Sequence, residues 1–167
     1  MTTMIDLTPI IKDHFNSLRS HSTGKMMWMQ VAFFYGPPVL LASGGCALNW
    51  KIGGVDNILA AFAILTGLLF NLLVLLFDVA AKATAGVGGT TDQNTRLKLA
   101  KELQANVTYT LLVALAATTI LGICAGMDIE KLNRWIGAAV LLLLSHFMLT
   151  LLMILKRIRS AFLNSLT

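Results

Sequence analysis

The sequence predicts an all-α fold: a four-helix transmembrane bundle with an N-terminal amphipathic helix and both termini cytoplasmic. Three observations predict it. Four apolar stretches, 26–48, 58–81, 107–127 and 135–155, can each cross a bilayer, because a hydrocarbon core about 30 Å thick needs about 20 residues of apolar helix. Composition agrees, with 56% hydrophobic residues and a mean hydropathy of +0.75; a water-soluble domain cannot hide that much apolar surface. The basic residues are also unevenly divided. With an inside N-terminus, Lys12, Arg19, Lys25, Lys82, Arg96, Lys98, Lys101, Lys156, Arg157 and Arg159 are cytoplasmic, against Lys51, Lys131 and Arg134 outside. That is the positive-inside bias. The net charge of +5 then reflects topology and anionic lipid. No aromatic residues are interleaved with it to stack bases, so nucleic acid is not an expected partner.

Residues 1–25 are expected to form a cytoplasmic helix and joint. Thr8 suits the N-cap, with Pro9 at the first helical position. Leu7, Ile11, Phe15 and Leu18 recur at helical spacing, with Lys12, Asp13, Asn16 and Arg19 on the other side. Such a helix lies in the headgroup layer, or docks on the bundle or on a partner; the alternative is a disordered tail. Residues 20–24 supply a joint before the first span.

The transmembrane domain spans 26–155. Its first span carries Gly36, Pro37 and Pro38. Each proline lacks an amide donor and clashes with the carbonyl four residues back, so a kink or hinge is expected. The freed carbonyls then need protein or water. Ser43-Gly44-Gly45-Cys46 lacks the aliphatic residue of a lipoprotein cleavage site, so the chain is read as uncleaved. In the second span, Ala60, Ala63, Gly67, Asn71, Val74 and Asp78 share one face, with Leu65, Leu69, Leu72 and Leu76 opposite and Phe62 beside them. Small and polar against large and apolar predicts that the first face meets protein and the second meets lipid. Asp78 has Lys82 four residues on as an ion-pair partner.

The cytoplasmic loop 82–106 is glycine-rich at first, without the spacing of a phosphate cradle. It turns helical from Thr95 and runs into the third span. There Asn106, Thr110, Ala114 and Ala117 form a second small and polar stripe, and Gly122 and Gly126 a small-xxx-small pair. A short outer turn makes spans three and four antiparallel neighbours. The fourth presents Trp135, Ala139, Leu142, His146, Thr150, Met153 and Arg157 along one face. Residues 156–167 form a basic tail. Cys46 and Cys124 read as small buried residues, although a bond between them is geometrically conceivable.

No catalytic constellation emerges. One histidine and one asparagine at mid-membrane depth make no metal site, and His146 has no carboxylate at its level for a triad. No enzyme activity, metal or cofactor is expected. The residues left to carry function are Asn71 and His146, flanked by Thr110 and Thr150, with Asn106 and Asp78 nearer the membrane edge. Polar groups at this depth act either as hydrogen-bond glue between helices or as a path for ions, protons or water.

The runs Ile64–Asp78 and Glu102–Tyr109, with Lys12–Arg19, resemble small uncharacterised bacterial membrane proteins of four spans. The resemblance implies a bacterial inner membrane and no assigned activity. Compact proteins of this kind also serve as membrane subunits of antiphage defence systems, where a soluble partner senses infection. The expectation is therefore a homo-oligomeric, pore-type effector that alters membrane permeability, with Gly36, Pro37 and Pro38 allowing bending. The rival is a non-conducting anchor. Its basic surface of Arg96, Lys98, Lys101, Lys156, Arg157 and Arg159 would recruit a soluble cytoplasmic partner or contact lipid headgroups.

Overall fold

The chain, as a computed structural model, is described over residues 6–17, 28–85, 91–127 and 129–164. Among these the regular structure is helical: α1 (Thr8–Ser17), α2 (Trp28–Ala47), α3 (Val55–Ala85), α4 (Thr91–Gly126) and α5 (Arg134–Asn164). Parts of three helices are long and apolar enough to cross a membrane: Val55–Asp78, Ala100–Gly126 and Arg134–Ser160. That marks a membrane protein. The apolar part of α2, Val31–Ala47, is shorter.

Local chemistry explains the ends. Asp6, rather than Thr8, supplies the acceptor at the start of α1: its carboxylate accepts the Thr8 N–H at 3.0 Å. The Thr8 side chain and then its backbone hold that carboxyl below its usual range. Helix α2 closes with Asn49 in the left-handed region at φ 51°. Trp50 N–H then reaches Gly45 O at 2.9 Å, and Asn49 N–H reaches Cys46 O at 3.3 Å, which satisfies the last carbonyls. The two loops at this end hold each other through Leu132 N–H to Ile52 O at 2.9 Å and an antiparallel bridge between Gly53 and Lys131.

The helices form a row rather than a closed ring. Helix α4 packs on α3, α5 and α1, and α5 packs also on α2, while among the described residues α2 and α3 do not pack together. Phe62 of α3 reaches Phe147 of α5 with ring centroids 5.0 Å apart. Together with Val107, Leu121 and Ile154 these two form a buried apolar core. Helix α1 lies against α4 and reaches α2 through Phe15, whose ring stacks on Tyr35 at 6.0 Å.

Two expectations are corrected. Helix α3 turns the opposite way: Phe62, Leu69 and Leu76 are buried, whereas Ala60, Ala63, Gly67, Asn71, Val74 and Asp78 are exposed. The large side chains take the contact with α4, the helix on which α3 packs. Helix α1 also docks on an unexpected face. Leu7 and Ile11 are exposed, while His14 is fully buried, because the groove beneath it is lined by polar and aromatic groups. Helix α2 continues through Gly36, Pro37 and Pro38, with both prolines inside it. The joint at 20–24 and Leu18 lie outside the described residues.

Close packing of α2 on α5 depends on Gly45, where an added Cβ would come within 2.7 Å of Leu141 Cδ1. Gly45→Ala is expected to cost about 1 kcal/mol, since the flexible end of Leu141 can shift. At Gly36 a Cβ meets nothing within 4 Å, so Gly36→Ala should be neutral or stabilising by up to about 1 kcal/mol. Unfolding of both variants in the same detergent compares them. Equal effects would contradict this packing.

Candidate functional site: a buried polar column

A column of hydrogen-bonding groups runs between α2, α4 and α5, beneath α1. Asn106, Thr110, His146 and Thr150 are all buried, as is His14. On α4, Asn106 follows Glu102 by four residues, and Tyr109 and Thr110 follow Asn106 by three and four, so one face climbs about 12 Å from the helix's polar part into its apolar part.

The deepest part depends on a proline. In an unbroken helix, the carbonyl of Phe34 would accept the N–H of residue 38, but Pro38 has none. His146 fills the gap, with Nδ1 lying 3.4 Å from Phe34 O. That carbonyl can only accept, so Nδ1 carries the proton and the neutral ring has Nε2 as acceptor. Nε2 lies 2.9 Å from the Tyr109 hydroxyl, which must donate to it. The Tyr109 oxygen in turn lies 3.3 Å from the Tyr35 hydroxyl and accepts from it. One directed chain results, Tyr35 to Tyr109 to His146 to Phe34 O. The His146 ring is further held by Tyr35, stacked at 4.9 Å, and by Tyr109, edge-on at 5.7 Å.

Helix α1 closes the column. The His14 ring stacks on Tyr109 with centroids 3.8 Å apart and planes 7° from parallel. Asn106 donates through Nδ2 to Glu102 O at 2.8 Å, leaving Oδ1 to accept from His14 Nδ1 at 3.0 Å. Burial pushes the His14 imidazole down to about 4, against the opposing bond to Asn106, with repulsion from His146 and Arg157 adding to the fall. His14 therefore sits in the groove uncharged at neutral pH. At the open end Arg157 Nη1 lies 3.6 Å from Glu102 Oε2, with both side chains about a quarter exposed.

Of the residues expected to carry function, Asn106, Thr110, His146 and Thr150 come together. The threonine hydroxyls donate to their own helices, Thr110 to Asn106 O and Thr150 to Phe147 O, each at 2.8 Å. They therefore line the column as acceptors only. Asn71 does not join; it points away from α4, and Asp78 is exposed on that same outward face. The side chain of Lys82, expected beside Asp78, lies outside the described residues. Arg157, expected on a recruiting surface, pairs with Glu102, while Lys101, Lys156 and Arg159 are exposed. The side chains of Arg96 and Lys98 lie outside the described residues. Cys46 and Cys124 are free thiols.

His14, Tyr35, Tyr109 and Glu102 were not anticipated as site residues. One signal for two of them was available: the chain has only two tyrosines, and both fall in apolar stretches, where a buried hydroxyl needs a partner. Among the described residues, no group of three or more His, Cys, Asp or Glu could hold a metal ion. No protein-family model, curated protein or solved structure matches this chain.

Proposed function

We propose that this protein alters membrane permeability, as an assembly of several copies, by passing protons or small ions along the column capped by α1. One observation carries the reading: Tyr35, Tyr109 and His146 form a continuous chain of exchangeable O–H and N–H groups amid apolar helices. Simple glue between helices needs one bond per contact; a relay needs consecutive groups that each donate and accept. The three long apolar helices support membrane insertion. The positive-inside bias supports cytoplasmic termini, with α2 as the fourth crossing. The bacterial inner membrane and an antiphage role rest on the resemblance of the sequence, and the neighbouring genes test them.

The purified protein in liposomes holding a pH gradient tests permeability. Wild type should dissipate the gradient. Tyr109→Phe keeps the ring that stacks on His14 and removes the relaying hydroxyl, so flux should fall at least about tenfold while the fold survives. If wild type leaves the gradient intact at every pH and voltage, the proposal fails. The anchor reading is favoured by exposed Lys101, Lys156 and Arg159; it predicts a soluble partner lost when all three become glutamine, with Tyr109→Phe harmless.

A further inference from the structure

We infer that the outward face of α3 is a self-association surface, on which a second copy docks so that the two Asn71 amides hydrogen-bond to each other. The inference rests on membrane insertion and assembly, and not on conduction.

Asn71 is exposed and well inside the apolar part of α3. Within Val55–Asp78 it falls about 7 Å from the centre of the span, at 1.5 Å per residue. Other outward polar groups satisfy themselves: Ser43 donates to Leu40 O and Thr119 to Leu115 O on their own helices. Among the described residues, no hydrogen bond joins the Asn71 amide to a partner. Acyl chains offer neither donors nor acceptors. The amide therefore calls for a partner from outside the chain.

Symmetry identifies that partner. Copies inserted with the same topology are related by an axis along the membrane normal, so a residue meets its own counterpart at its own depth. A carboxamide carries two donors and an acceptor oxygen, so it complements itself. Space permits the approach as well. A Cβ at Gly67, one turn from Asn71, would meet nothing within 4 Å. Ala63 and Gly67 form the small-xxx-small spacing that lets two membrane helices come close. Ile64, Leu68 and Leu75 are exposed beside this strip and would flank the contact. Helices crossing near Gly67 and Asn71 diverge toward Asp78, which keeps the two carboxylates apart.

Self-association in liposomes, followed by energy transfer over a range of protein-to-lipid ratios, tests this. Asn71→Leu should weaken it about tenfold, given the strength of hydrogen bonds between membrane helices, and Asn71→Gln should retain part of it. With Cys46 and Cys124 replaced by alanine, Gly67→Cys should cross-link between copies on oxidation, whereas Ile123→Cys, exposed on α4, should not. Asn71 is exposed, so unfolding of the variants at low protein-to-lipid ratio should match wild type. Wild type that stays monomeric at every ratio would overturn the inference, as would Asn71→Leu associating as tightly, or equal cross-linking at 67 and 123. A defect seen only in native membranes would mean a different partner and would overturn the second copy. None of these readouts uses flux, so the interface and the permeability can fail separately.

Discussion

Replacing His146 with leucine is expected to destabilise the protein by about 2–4 kcal/mol, and replacing Pro38 with alanine in the same chain to restore part of that. Leucine fills most of the volume but leaves the Phe34 carbonyl without its donor and takes from the Tyr109 hydroxyl its acceptor, with only the longer contact to Tyr35 left; an orphaned buried group costs about 1–3 kcal/mol. Alanine at position 38 returns an N–H to α2, which pairs with Phe34 O as in any regular turn. The two substitutions should be coupled by at least about 1 kcal/mol in a double-mutant cycle. Alanine at 38 with His146 intact gains less, because the carbonyl already has its donor. Additive effects, measured by unfolding in one detergent, would show that the histidine does not serve the proline.

Acid is expected to release α1 from the groove. His14 is held at about 4 when docked, against an ordinary value of 6.5. Between those values the undocked helix binds more protons, so docking stability rises with pH across the window. It is fully present above about 6.5, declines as pH falls, and has lost its histidine-linked part by about 4, a total of roughly 3 kcal/mol. The facing groups resist a charged ring: Asn106 offers one acceptor, while the Arg157 guanidinium repels. Hydrogen exchange of α1 amides, corrected for intrinsic pH dependence, should show protection lost between pH 6.5 and 4. His14→Phe keeps a ring on Tyr109 with nothing to titrate and should stay docked throughout. If its protection falls like wild type's, His14 is not the cause.

Much of the helical content was legible because lipid-crossing length and apolar content are properties of the chain itself. The expected starts at 26, 58 and 135 fall close to those of α2, α3 and α5. The expected face of α4 was right as well, since Asn106, Thr110, Ala114 and Ala117 are all fully buried. The face of α3 was not legible. In water, burial follows hydrophobicity; in lipid both faces are apolar enough, and only the neighbouring groove decides which one packs. Asn71 sat at a suitable depth on the side that α4 does not use.

The sequence by itself determined the three long apolar helices, the asymmetry of charge, and the prolines that leave carbonyls unpaired. These are local or summed quantities, and need no knowledge of which helix lies beside which. Only the tertiary structure decided that His146 answers Pro38, that His14 docks on Asn106 and Tyr109 of α4, and that the two tyrosines meet. His14 and Asn106 stand 92 residues apart, and Phe34 and His146 stand 112 apart. Such pairings follow from the packing order of the helices, which is set by the fit of whole surfaces rather than by any residue's own preference.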